Sequence, residues 1–270
     1  MAYFKTDYGD IYYRLYGKGE STVVFVNGAA MSTNGWAPFL STLTKEYRVL
    51  LLDLLDQGRT KTKKTDYVLE DQADILNLLL DELDIDKIHL AGMSYGGKVS
   101  LIFATKYMNK LESLSLINSD SYNCNFTMEL SKSWLKAGET LDGGLFASVI
   151  LTSMYSHTYY ENNYDVMMEK ENFFITNLNK EYYESFKRGV LSAMKYDLRD
   201  QLNTIKVPTL ILTSEEDFVI PKKTQKITHD GIEGSKWALI EDVGHALMYE
   251  KPDEFINTYM EFLNTRKNGQ

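Results

Sequence analysis

The sequence predicts an α/β domain: a mostly parallel sheet with helices on both faces and a helical insertion ahead of the last two strands. Three observations predict it. Short, continuously apolar runs alternate with longer helical stretches up to residue 120 and again from residue 202, and strands alternating with helices imply right-handed crossovers and parallel pairing. The alternation lapses between Ser121 and Gln201, where only helical stretches can be read. A Gly-x-Ser-x-Gly turn stands where one apolar run passes into a helix. A chain of 270 residues can hold this arrangement in one α/β domain.

Taken in order, Tyr3-Phe4-Lys5 and Ile11–Tyr16 flank a turn at Tyr8-Gly9-Asp10 and read as an antiparallel hairpin. Thr22–Val26, Arg48–Leu52, Lys87–Ala91, Leu114–Ile117 and Thr209–Leu212 are apolar without alternation, as strands covered on both faces should be. Lys236–Ile240 is the last strand candidate. Between Val68 and Leu83 the apolar residues recur at three- and four-residue spacing, with Gln72 the exception. That is one face of an amphipathic helix, for which Asp66 is a plausible N-cap. Tyr95–Tyr107 and Asp253–Thr265 also read as helices, the latter opening after Pro252. The segment 121–201 reads as four helices, at Phe126–Ala137, Leu145–Tyr155, Tyr164–Leu178 and Glu181–Leu198. The expected division is a core of residues 1–120 and 202–270 with a helical cap of residues 121–201. Such an insertion can fold as a lid over the carboxyl ends of the strands, where ligand crevices form. The tail from Arg266 to Gln270 is expected to fray.

Composition excludes several classes. Lys and Arg number 29 against 38 Asp and Glu, for a net charge of −9, which argues against a nucleic-acid footprint. The basic cluster Lys61, Lys63, Lys64 is set among threonines and reads as a solvated loop. The single cysteine, Cys124, rules out an intramolecular disulfide framework and Cys-based zinc motifs. No apolar run reaches the length of a membrane span, and the amino terminus lacks a signal-peptide pattern. The expected protein is cytoplasmic, a monomer or a homodimer.

Chemistry concentrates at Gly92-Met93-Ser94-Tyr95-Gly96-Gly97. A serine between glycines at plus and minus two, after a strand and before a helix, is the nucleophile-elbow pattern. The chain must turn sharply there, so Ser94 takes a strained conformation and side chains at Gly92 and Gly96 would collide. A serine hydroxyl needs a base, usually an imidazole held by a carboxylate. Of four histidines, His89 lies within a strand and reads as a core residue. His157 and His229 lie in helical or loop surroundings, His157 with a possible outlook on the lid cavity. His245, in Glu241-Asp242-Val243-Gly244-His245-Ala246 after the last strand, can swing onto the elbow. Asp217, in the turn after Thr209–Leu212, completes the order Ser94, Asp217, His245 expected of this arrangement; Glu216 and Asp120 are the rival acids. For an oxyanion, the Tyr95 N–H at a helix amino terminus is one donor. The second is the Ala29 N–H, in the loop Asn27-Gly28-Ala29-Ala30-Met31.

These residues together resemble the α/β-hydrolase superfamily over almost the whole chain. The resemblance is carried by Asn27-Gly28-Ala29, Asp53–Thr60, the elbow, Glu215–Pro221, Gly244-His245 and Glu250-Lys251-Pro252. It implies an eight-stranded sheet, a cap between the sixth and seventh strands, and Ser94, Asp217 and His245 as nucleophile, acid and base. Members usually carry His-Gly where this chain has Asn27-Gly28, and a Gly-His-Gly type turn at Asp56-Gln57-Gly58. In both departures the chain is similar to the branch that makes 3-hydroxyacyl dimers for rhamnolipid synthesis, which implies a hydroxyl acceptor as an alternative to water.

The expected activity is acyl transfer from an ester, thioester or lactone through an acyl-enzyme, with a small-molecule acyl substrate and neither metal nor dissociable cofactor. The Tyr-, Phe- and Met-rich insertion suggests a medium-sized apolar acyl or aromatic group, with Trp36, Met93, Trp134, Met154 and Tyr155 as pocket candidates. A small-molecule receptor on the same fold is the non-enzymatic alternative, because fold does not fix function.

Overall fold

The structure, a computed structural model, describes residues 2–267; Met1 and the tail residues Asn268–Gln270 lie outside it. The strands are β1 (Ala2–Thr6), β2 (Gly9–Tyr16), β3 (Thr22–Val26), β4 (Arg48–Leu52), β5 (Lys61–Thr62), β6 (Ile88–Met93), β7 (Leu111–Ile117), β8 (Thr209–Ser214) and β9 (Lys236–Ile240). Their spatial order is β1-β2-β4-β3-β6-β7-β8-β9, with two-residue β5 paired to β2 off this path. The expected eight strands are therefore all present. The unexpected ninth begins in the basic cluster read as a loop, where Lys61 and Thr62 pair with Asp10 and Gly9. β1 and β2 are antiparallel to their neighbours, and from β4 onward every pairing is parallel.

The continuous apolar runs have a direct cause. Along β3, Val24 and Val26 pack into one core while Val23 and Phe25 pack into another on the opposite face. Along β4, Leu50 and Leu52 divide from Val49 and Leu51 in the same way. Side chains alternate between faces, and both faces are covered. Helices α2 (Leu69–Glu82) and α3 (Tyr95–Lys106) cover the first; α1 (Leu40–Leu43) and α11 (Pro252–Lys267) cover the second. Helices α9 (Lys222–Gly231) and α10 (Leu247–Glu250) complete the strand-bearing part.

At α2 the start differs from the Asp66 cap expected from sequence. The helix begins after Val68, whose N–H is accepted by Asp71 Oδ2 at 2.9 Å. Val68 is exposed, whereas Gln72, the polar exception on the buried face, is buried there: it accepts the Leu55 N–H.

Between β7 and β8 the chain forms α4 (Asn125–Glu139), α5 (Gly143–Met154), α6 (His157–Asn162), α7 (Tyr164–Asn177) and α8 (Lys180–Ser192). Of these, α4, α5, α7 and α8 share an apolar cluster that includes Trp134, Phe146 and Phe186. The stretch expected as one helix from Glu181 to Leu198 stops at Ser192. Tyr196 turns back toward the sheet, its hydroxyl donating to Asp120 O at 3.2 Å, and Asp197 bridges to Tyr122.

The register fixes the site. Val26 lies beside Gly92, Met93 beside Ile117, Ile117 beside Leu212 and Ser214 beside Ile240. The carboxyl ends of five neighbouring strands thus form one edge, and the loops that leave them emerge together, where open α/β sheets hold their ligands.

Candidate active site

Ser94 occupies the junction of β6 and α3 with φ 51° and ψ −115°, a conformation costing about 1–3 kcal/mol that persists only when its surroundings enforce it. They do so from both sides. Its N–H donates to Ile117 O at 2.9 Å, and its carbonyl accepts from Gly97 N–H at 2.9 Å and from Ser119 Oγ at 2.8 Å. A Cβ on Gly92 would fall 2.3 Å from Gly96 O, and one on Gly96 would fall 2.3 Å from Val26 O. The close approach of these backbones leaves no room for side chains there.

His245, on the loop after β9, places Nε2 2.9 Å from Ser94 Oγ. Its Nδ1 lies 2.9 and 3.0 Å from the two Asp217 oxygens. Asp217 is buried and accepts from the Val219 and Ile220 N–H groups at 2.9 and 2.8 Å, and from Gln225 Nε2 at 3.2 Å. These donors offset the cost of burying the carboxylate and leave its charge directed at the imidazole. The rivals are elsewhere. Glu216 is exposed, and Asp120 pairs with Lys98 at 3.0 Å in the interior. His89 is buried on Ser113 and Glu112, His229 bonds Ser235 Oγ, and His157 is exposed at the start of α6 rather than turned to a cavity.

Ala29 and Tyr95 come together with the elbow. Both line a cleft of about 800 Å³ that runs between the loops after β3 and β4 and helices α7 and α8. Its walls mix apolar side chains, among them Met31, Phe173, Tyr182 and Phe186, with polar ones such as Gln57, Lys61 and Arg188. Ser94 and His245 are not among the residues lining it, and the cleft meets the elbow through Tyr95, the residue that follows Ser94 in the chain. Burial pushes the Tyr95 phenol up to about 12, so it stays a neutral group that meets Ser192 Oγ at 2.9 Å.

The pocket candidates require correction. Trp36 is fully buried, stacked on Phe25 with centroids 4.4 Å apart, and Met93 is buried in the same core. Trp134 is buried among α4, α5 and α8, its Nε1 donating to Ser153 Oγ at 3.2 Å. Apolar size put these residues on the candidate list, and apolar size also sends them into cores. Half-buried Met154 and Tyr155 are not among the residues lining this cleft; Tyr155 stacks on Tyr159.

Three supports escaped the sequence reading. Asn118 Nδ2 donates to His245 O at 2.9 Å while its Oδ1 accepts the Ser214 N–H, tying β7, β8 and the histidine loop. Half-buried Glu250 accepts from Gly244 N–H at 3.2 Å and from Ser156 Oγ at 2.6 Å, joining that loop to the turn between α5 and α6. Arg188 of α8 holds Asp56 with two bonds of 2.7 Å across the cleft. Only Glu250 lay in a stretch the family resemblance had marked. Among the described residues no cluster of three or more His, Cys, Asp or Glu side chains could hold a metal ion.

Comparison with known proteins follows from this geometry. Residues 21–252 match the family described as alpha/beta hydrolase fold. The chain belongs to that family. This alpha/beta hydrolase is 27% identical over 263 residues to the 2-hydroxy-6-oxononadienedioate/2-hydroxy-6-oxononatrienedioate hydrolase of Escherichia coli K12, covering 92% of this chain and 88% of that protein. Among solved structures it is similar to MGS-M2, an alpha/beta hydrolase enzyme from a Medee basin deep-sea metagenome library. The TM-score there is 0.94, with 27% identity and 97% of each chain covered. The enol-lactonase of Burkholderia xenovorans LB400 shares the fold, with a TM-score of 0.85, 24% identity, and coverage of 97% of this chain and 99% of that one. The protein is accordingly an enzyme of the hydrolase kind. No helix among the described residues is long and apolar enough to cross a membrane.

Proposed function

We propose that this hydrolase works through Ser94 as a covalent nucleophile on an ester, thioester or lactone. The observation that carries the reading is the unbroken line from Asp217 through His245 to Ser94 Oγ, each gap within hydrogen-bond distance. His245 Nε2 takes the hydroxyl proton as Ser94 Oγ bonds to the substrate carbonyl carbon. Asp217, on Nδ1, holds the ring orientation and stabilises the imidazolium. The N–H groups of Ala29 and Tyr95 receive the oxyanion. The imidazolium then protonates the departing alcohol, thiol or lactone oxygen, leaving the acyl group on Ser94. Water attacks next, with His245 again as base, and releases the acid.

The cleft supports a substrate whose acyl part lies against Met31, Phe173 and Tyr182 while polar groups meet the Arg188 side. In this reading residues 121–201 act as a lid over the strand ends. The names of the relatives add enol lactones, which fit this step as written, and 2-hydroxy-6-oxo dienedioic acids, in which the bond broken at the ketone is carbon–carbon and the imidazolium proton goes to the departing fragment.

Intact-mass spectrometry of the protein mixed with short-chain esters, acyl thioesters, lactones and such diacids tests the proposal. The expected result is a transient mass increase equal to one acyl group for at least one class, with free acid as product. Product formation from every tested class without any dependence on Ser94 would overturn it.

A further inference from the structure

Three neutral side chains outside the Ser94–His245–Asp217 line form one directed hydrogen-bond chain that ends at the loop after β3. Trp36 Nε1 donates to Asn27 Oδ1 at 2.8 Å. Asn27 Nδ2 donates to Gln57 Oε1 at 3.2 Å, and Gln57 Nε2 donates to Gly28 O at 2.9 Å. Trp36, Asn27 and Gln57 are all buried. The direction of the chain is set by chemistry. An indole N–H can only donate, so Asn27 must turn its oxygen toward Trp36 and its amino group toward Leu52 O, Gln57 and, at 3.3 Å, the Asp53 carboxylate. Gln57 Oε1 then faces Asn27 and the Leu54 N–H, which leaves the Gln57 amino group for Gly28 O.

Gly28 C=O and Ala29 N–H are opposite ends of one planar trans peptide. The Gly28 carbonyl accepts from the Met31 N–H at 3.2 Å as well as from Gln57, and a donor that grips it helps fix where the N–H points. It also polarises the peptide and strengthens the N–H as a donor. This peptide sits beside the elbow, since a Cβ on Gly28 would lie 3.5 Å from Met93 O. The two places where the chain departs from the usual family residues, Asn27 and Gln57, are thus adjacent links of one device.

We infer that Gln57 is a positioning residue for oxyanion stabilisation: it aims and polarises the Ala29 N–H, and Asn27 and Trp36 set the orientation of its amide. The inference rests on the reading of Ala29 as an oxyanion donor. Gln57→Met keeps the shape and removes the donor. It should lower kcat about tenfold to a hundredfold, less than deleting an oxyanion donor outright, with KM changed by no more than about threefold. Affinity for a trifluoromethyl ketone analogue should fall by the same factor as kcat/KM, while a fluorophosphonate still labels every molecule and the pH–rate profile keeps its shape. Trp36→Phe keeps the stack on Phe25, loses only the first donor, and should lower kcat about two- to fivefold, since one bond strengthens the next only modestly.

A role confined to holding the fold would show otherwise: lost kcat matched by a lost labelled fraction, with analogue affinity intact in the molecules that remain. That result, or wild-type kcat in Gln57→Met, overturns the inference. If Gln57→Met does not fold, Trp36→Phe decides alone, and unchanged kcat and analogue affinity there overturn it. Failure of the proposed Ser94 nucleophile itself is distinct, because then the wild-type protein neither takes the probe nor turns over the esters.

Discussion

At the strand ends, Asp217 accepts hydrogen bonds from two backbone N–H groups and Gln225 beside its contact with His245. In α7, across the cleft, Phe173 and Ile175 are more than half exposed, and α8 reaches the core here through Arg188 on Asp56 and Ser192 Oγ on the Tyr95 hydroxyl. One region holds its polar side chains by several bonds from its own turns and from α9. The other has its own apolar cluster and a lightly tethered face over the cleft. Under the proposed function the contrast is a division of labour: chemistry that tolerates little displacement is carried on the sheet edge, and selection of substrate falls to the helices above it.

The largest effect that sharpens this contrast is at the sheet edge. Ser94→Ala should lower kcat by about 10⁴–10⁶, and Asp217→Asn by somewhat less, since the group acts as a unit. Steady-state turnover of the best ester, with folding checked by circular dichroism, measures both.

Glu250 probes the seam between the two regions. Glu250→Ala leaves the Gly244 and Ser156 N–H groups without this acceptor and frees the His245 loop. It should cost about 1–3 kcal/mol of stability and on the order of tenfold to a hundredfold in kcat. Glu250→Gln, which keeps an acceptor oxygen, should recover most of the rate. Equal losses in both variants would break the link to histidine placement.

Arg188→Ala removes one tether from α8 and leaves Asp56 with Tyr67 as its remaining side-chain partner among the bonds at this point. The division of labour predicts a KM increase of about three- to tenfold with kcat changed by less than about twofold. A kcat loss larger than the KM change would place this helix in the chemistry instead.

The smallest effect is in pH. Burial holds the Glu250 carboxyl above its ordinary 4.5, so above that pH the native state binds more protons there than the unfolded chain. Stability from this group therefore falls as pH rises through the raised value. Glu250→Gln lacks the titration, and its melting temperature relative to wild type should climb as pH goes from 4.5 toward neutrality. A flat difference would contradict the assigned burial.

The two regions also differ in how much of them could be read from sequence. The strands were legible because burial on both faces removes the ambiguity of alternation, as in Val23–Val26. Ser94, Asp217 and His245 were legible because each follows a strand at a fixed offset, and parallel register carries those offsets to one edge. Helices in the insertion were legible as helices, yet Trp134 and Arg188 could not be assigned to core and cleft, since packing between helices depends on crossing geometry that spacing does not encode. Asn118 and Gln225 escaped for another reason, and Gln57, though marked as a departure from the family pattern, gave no sign of its bonding. Their task is to satisfy buried polar atoms made by distant segments, and single amides in loops carry no periodic signal.

The most direct test of the account is to label the protein with a fluorophosphonate, map the adduct by peptide mass, and follow ester hydrolysis in the same samples. One adduct on Ser94, with activity lost in proportion to labelling and no labelling in His245→Ala at equal exposure, is the predicted result. Full modification of Ser94 with hydrolysis undiminished would contradict it.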